Sequence, residues 1–220
     1  MKKQSAILIL LVSVCCLVML AVDGIWQPGY WIKSSVKILL FLASPIIYGV
    51  IFQTPVIRNM VRTSRSCLAT PLLLAAAVYA VIVAVFFLLR GTVDFSSVLS
   101  NLPEGVTKTT FPFVALYISF INSLLEEVFF RGFAYLSLSK STKGASLFSA
   151  VAFALYHTAM MLGWFPLPVF LLALIGLTAG GMIFNYLCKK SENIIAGWLV
   201  HMFANFAINT IGLLLFFGLV

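Results

Sequence analysis

The chain has 220 residues, of which 62% are hydrophobic and only 9% charged, and its formal net charge is +8. A soluble domain carries about a quarter charged residues, so an ordinary soluble fold is excluded; apolar runs of roughly 20 residues recur from end to end and predict an all-α, polytopic transmembrane helical bundle of seven or eight helices with no soluble domain. The positive charge does not indicate a nucleic-acid partner, because the basic residues sit in short loops between apolar runs.

The amino terminus opens like a secretory signal. Its apolar run from Ser5 to Val22 is longer than a signal core, and no clear cleavage site precedes Asp23, so an uncleaved first membrane helix is expected. Further spans are expected over Ile38 to Phe52, Cys67 to Leu89, Phe111 to Phe130, Ala145 to Leu162, Leu167 to Leu187, and from Ile194 onward. Pro45 makes the second uncertain at its ends, and the last is long enough to break near Asn209 to Gly212. Gly163 to Pro168 reads as a tight turn between the fifth and sixth spans. Gly176 and Gly180, four apart in the sixth, read as a small-residue helix contact. Cys15, Cys16, Cys67 and Cys188 form no pattern and read as small buried hydrophobes. One integrated bundle is expected, with residues 1–110 free of motifs and residues 111–220 carrying the chemistry.

Loop charges set the orientation. With the amino terminus in the cytoplasm, the inner side takes Lys2, Lys3, Arg58, Arg62, Arg65, Arg131, Lys140, Lys143, Lys189 and Lys190, which is ten of the fourteen Lys and Arg. The outer side keeps Lys33, Lys37, Arg90 and Lys108. A multi-pass protein of the plasma membrane with a cytoplasmic amino terminus follows, and the "EEVFFR" end of the fourth helix points inward.

Of six acidic residues, only Glu126 and Glu127 fall within a predicted span, and both histidines, His157 and His201, also lie well inside spans. Ionisable groups in the bilayer are costly and mark function by default. Glu127 and Arg131 are four apart on one helix and so can pair. Asn122 and Ser123 extend that polar stripe by a turn. His201, Asn205 and Asn209 recur every four residues and face one way. Both stripes belong against the bundle interior or a wet cavity. Interhelical hydrogen bonding alone accounts for Asn and Ser, but poorly for two adjacent glutamates. Depth is a constraint: by helix rise His157 lies roughly 20 Å beyond Lys143 and His201 roughly 15 Å beyond Lys190, so the fifth helix must start late, tilt or meet a cavity.

"EEVFFR" (Glu126 to Arg131), "FALYH" (Phe153 to His157) and "HMFAN" (His201 to Asn205) resemble, in order and spacing, the EExxxR, FxxxH and HxxxN boxes of the CAAX protease and bacteriocin-processing family (CPBP, or Abi) of intramembrane endopeptidases. The resemblance covers roughly Phe111 to Asn209. It implies hydrolysis of a membrane-associated protein or peptide precursor. It also implies that Glu126 and His157 activate water, His201 and Asn205 hold the oxyanion, Glu127 pairs with Arg131, and Phe153 packs on His157. Peptide hydrolysis needs an activated water, an oxyanion holder and a proton for the leaving amine, so these residue types suit it. No cofactor is favoured. The alternative is a divalent metal such as zinc on Glu126, His157 and His201, although the sequence lacks HExxH. The chain length suggests a bacterial member acting on a peptide precursor or a membrane-anchored peptide. Expected partners are a peptide or protein substrate and the lipid bilayer; the oligomeric state stays open. Two other classes compete: a non-catalytic membrane partner such as a bacteriocin-immunity protein, which altered boxes would favour, and a proton-coupled transporter, which internal pseudo-symmetry would favour. The boxes are intact, and no such symmetry is visible.

Overall fold

A computed structural model describes residues 2–60, 68–162 and 164–219. Arg62, Arg65, Cys67 and Gly163 lie outside the described residues. Among the described residues, seven main helices build the bundle: α1 (Lys2–Ala21, continued by a π-helical turn, Val22–Trp26), α2 (Tyr30–Ile51), α3 (Ala69–Leu89), α4 (Phe111–Leu138), α5 (Ala145–Met161), α6 (Leu167–Ser191) and α7 (Ile195–Phe216). All but α5 are long and apolar enough to cross a membrane. Short helices Val56–Met60 and Ser96–Ser100 lie in the connections, and no strand occurs among the described residues.

The chain is a polytopic helical membrane protein, as its composition predicts. Helix α4 is the most buried of the long helices and packs against α1, α2, α5, α6 and α7. Large aromatic rings hold it there. Phe129 stacks on Phe41 of α2 at 4.0 Å between centroids, and Phe130 meets Phe153 of α5 edge-on at 5.3 Å. The cysteines Cys15, Cys16 and Cys188 are free and buried.

Hydrogen bonds sort the connections to two ends. Ser5 meets Ser141 at 2.8 Å, and the Ile194 amide donates to the Met60 carbonyl at 3.1 Å. At the other end the Tyr30 amide donates to the Glu104 carbonyl at 3.0 Å, and Ser97 donates to the Trp164 carbonyl at 2.6 Å. The grouping of loops expected from the sequence is therefore the grouping in the fold.

Several expectations need correction. Helix α2 begins at Tyr30, not near Ile38. Lys33, Ser34, Ser35 and Lys37 interrupt the apolar run without interrupting the helix, because each finds a partner or a polar surrounding. Pro45 sits inside this helix. Helix α4 runs on to Leu138, so "EEVFFR" lies near its middle and not at an inner end. Arg131 is fully buried and is not a loop charge, and Lys37 turns its ammonium into the bundle, 3.4 Å from Glu126 Oε1. Removing these two leaves nine basic residues against three (10 − 1 and 4 − 1), so the charge bias keeps its sign. Helix α7 is unbroken through Asn209 and Gly212. Gly176 and Gly180 face open space; the close-packed glycine of α6 is Gly181, where an added Cβ would lie 3.0 Å from the Ala150 backbone.

Candidate active site

The site forms where α4 departs from regular α-helical winding. Residues Ile118–Asn122 and Glu127–Tyr135 are π-helical. Such i→i+5 turns are uncommon and recur at functional sites. They flank Glu126, and Glu127 opens the second. Glu126 meets α2, α5 and α7, and Glu127 meets α7.

The Glu126 carboxylate is divided between two environments. Its Oε1 accepts from Asn122 Nδ2 at 2.9 Å and from Tyr156 OH at 3.4 Å, and Lys37 Nζ stands 3.4 Å away. Its Oε2 is buried and has no hydrogen-bond partner among the described residues. That oxygen faces His157 Nε2 at 3.7 Å and His201 Nε2 at 3.6 Å. A buried, unpaired carboxylate oxygen is costly and calls for a partner the protein itself does not supply.

The two histidines are held from behind. His157 Nδ1 lies 2.7 Å from the Phe153 carbonyl, which only accepts, so Nδ1 carries a proton and Nε2 is turned to Glu126. His201 Nδ1 lies 2.9 Å from Glu127 Oε1, which likewise turns Nε2 into the site. The Phe153 ring touches both imidazoles edge-on, at 4.6 Å and 5.5 Å, and Phe184 stacks on His201 at 5.2 Å.

Arg131 Nη1 lies 3.1 Å from Glu127 Oε1. This contact is an ion pair but not an aligned hydrogen bond, and the guanidinium nitrogens have no acceptor among the described residues. The guanidinium instead lies over the Phe153 and Phe184 rings, at 4.2 Å and 4.8 Å. Gly197 makes room for Glu127: a Cβ there would sit 2.9 Å from its Oε2.

Five of the six expected residues, Glu126, Glu127, Arg131, His157 and His201, thus converge, and the depth constraint is met because both imidazoles reach one carboxylate oxygen. Asn205 is close by sequence to His201 but spends one amide N–H on the Ile118 carbonyl at 3.1 Å. Asn209 donates to the Ala115 carbonyl and Ser119 Oγ, each at 3.1 Å. The polar stripe of α7 therefore faces α4 throughout. Lys37, Tyr156 and Gly197 were not singled out from the sequence. Lys37 looked like a loop charge; Tyr156 and Gly197 carry no spacing signal.

Glu126, His157 and His201 are the donors a metal would use. As arranged, no group of three His, Cys, Asp or Glu side chains among the described residues is set to hold a metal ion. The Lys37 ammonium already stands against Glu126, and a second cation there would be repelled.

Residues 108–207 match the family model described as type II CAAX prenyl endopeptidase Rce1-like. This segment is similar to that family. No curated protein and no solved structure matches the chain. The Rce1-like segment contains Glu126, Glu127, Arg131, His157, His201 and Asn205, and the family is one of intramembrane endopeptidases. Lys37 lies outside it.

Proposed function

We propose that this protein is an intramembrane endopeptidase that hydrolyses a membrane-associated peptide or protein with a glutamate-activated water and no metal. The observation that carries this reading is the divided carboxylate of Glu126, with Oε1 anchored and Oε2 free before two imidazole Nε2 atoms. Separations of 3.6–3.7 Å suit a water placed about 2.8 Å from both Oε2 and a ring nitrogen. Glu126 takes the water's proton as the oxygen attacks the scissile carbonyl, and His157 orients that water. The second amide N–H of Asn205 and, when the imidazole carries a second proton, the Nε2–H of His201 donate to the oxyanion. The proton on Glu126 then passes to the leaving amine, and the peptide C–N bond breaks. Glu127 and Arg131 keep His201 in place.

The family description supports a prenylated CAAX substrate, in which a lipidated cysteine is followed by two aliphatic residues and a terminal residue. An unlipidated peptide precursor is the other substrate of the same chemistry. The charge bias supports a cytoplasmic amino terminus in the plasma membrane. The test is mass-spectrometric mapping of products from purified protein in lipid nanodiscs, given a farnesylated CAAX peptide and its unlipidated form. A single internal cut in either, absent with Glu126→Gln, is expected. Intact peptides under both conditions overturn the reading.

A further inference from the structure

Helix α2 brings an ammonium group into the site from outside the family-matched segment. Lys37 Nζ donates to Asn122 Oδ1 at 2.8 Å and stands 3.4 Å from Glu126 Oε1. It also lies 5.1 Å from the centre of the Tyr156 ring. Its side chain is only 16% exposed, whereas its α2 neighbour Lys33 is paired with Asp23 at 2.6 Å. A lysine is rarely kept in such a place without a partner and a role.

The geometry assigns Lys37 as a positioning residue for Glu126. An ammonium only donates, so the Asn122 oxygen must face Lys37, and its Nδ2 must then face Glu126, where it is found at 2.9 Å. Lys37, which only donates, and the Glu126 carboxylate, which only accepts, together fix which way the Asn122 amide points. The amide, the ammonium and Tyr156 OH together occupy Oε1. Oε2 is left as the oxygen without a donor, turned to both histidines. Without the ammonium, Asn122 Oδ1 and Glu126 Oε1 each lose a donor and Glu126 is freer to swing, and a displacement of about 1 Å in a reacting group costs about 100-fold in rate. The first half of the chain, which carries no family box, therefore completes the site.

This assignment rests on the hydrolytic reading. The test uses the full-length protein in nanodiscs and an internally quenched farnesylated CAAX peptide. Lys37→Met is expected to lower kcat by about 10- to 100-fold with KM changed by less than about two-fold. Lys37→Arg keeps a cation and is expected to recover most of that loss, and ethylamine is expected to restore part of the activity of Lys37→Ala. Because Lys37 acts partly through Asn122, the Lys37→Met/Asn122→Ala double variant is expected to lose less than the product of the two single losses. Wild-type kcat in Lys37→Met, fully multiplicative losses, or a folded Lys37→Ala that neither the arginine variant nor ethylamine improves upon would each overturn the assignment. Glu126→Gln separates the two levels: if it too keeps full activity, the hydrolytic reading fails; if it is inactive while Lys37→Met is not, only the role of Lys37 fails.

Discussion

His201 and Glu127 face each other across α7 and α4, with Nδ1 of the ring 2.9 Å from Oε1 of the carboxylate. The same carboxylate meets Arg131, so one glutamate orders a histidine on one side and neutralises a buried guanidinium on the other. Losing Arg131 strands Glu127 in low dielectric, and breaking a buried pair costs about 3–5 kcal/mol. Arg131→Ala is therefore expected to lower the melting temperature in detergent along with activity. Glu126→Gln, which keeps shape and hydrogen bonding, is expected to lose activity while melting normally. A normally melting Arg131→Ala protein would remove the pairing from the account.

The glycines give a second contrast. Gly197→Ala drives a Cβ to 2.9 Å from Glu127 Oε2, whereas Gly176→Ala and Gly180→Ala meet nothing within 4 Å. Overpacking of this kind costs about 1–3 kcal/mol. Thermal unfolding of the three variants should show a loss only in Gly197→Ala, accompanied by reduced peptide cleavage.

Asn205 and Asn209 lie on one face of α7 and both donate to carbonyls of α4, but the proposed mechanism gives them different roles. Asn205→Ala removes an oxyanion donor and is expected to reduce kcat about 100- to 1,000-fold. Asn209→Ala loses hydrogen bonds to Ala115 and Ser119 only. Interhelical bonds in membranes contribute about 0.6 kcal/mol on average and up to about 1.7, so this variant should melt slightly lower and cleave at the normal rate. Equal kinetic losses in the two would argue that the stripe is structural throughout.

These contrasts mark how far the sequence could be read. The i,i+4 spacing of Glu127 and Arg131 and the four-residue recurrence of His201, Asn205 and Asn209 follow from helix geometry, and the fold keeps both. The three boxes also pointed to the residues that surround Glu126. Lys37 did not show itself, because hydropathy places a lysine among serines in a loop, and only the observed course of α2 turns it inward. The π-helical winding of α4 on either side of Glu126 has no residue signature. Gly181, not Gly176 or Gly180, packs closely because contact depends on which face of α6 meets α5, and small-residue spacing does not encode that.

Topology is checked by cysteine labelling in sealed cells, with the native cysteines replaced. Lys143 sits in an exposed connection at the end expected to be cytoplasmic, and Asp94 in one at the opposite end. An impermeant reagent added outside should label Asp94→Cys and spare Lys143→Cys. The reverse pattern would invert the orientation.

The central claim is that Glu126 activates water without a metal. Its most direct measurement is the cleavage rate of the farnesylated CAAX peptide by purified protein, before and after exhaustive chelation, beside Glu126→Gln. The account predicts a rate unchanged by chelation and reduced by orders of magnitude in Glu126→Gln. Abolition by chelator with recovery on adding zinc, or a wild-type rate in Glu126→Gln, would contradict it.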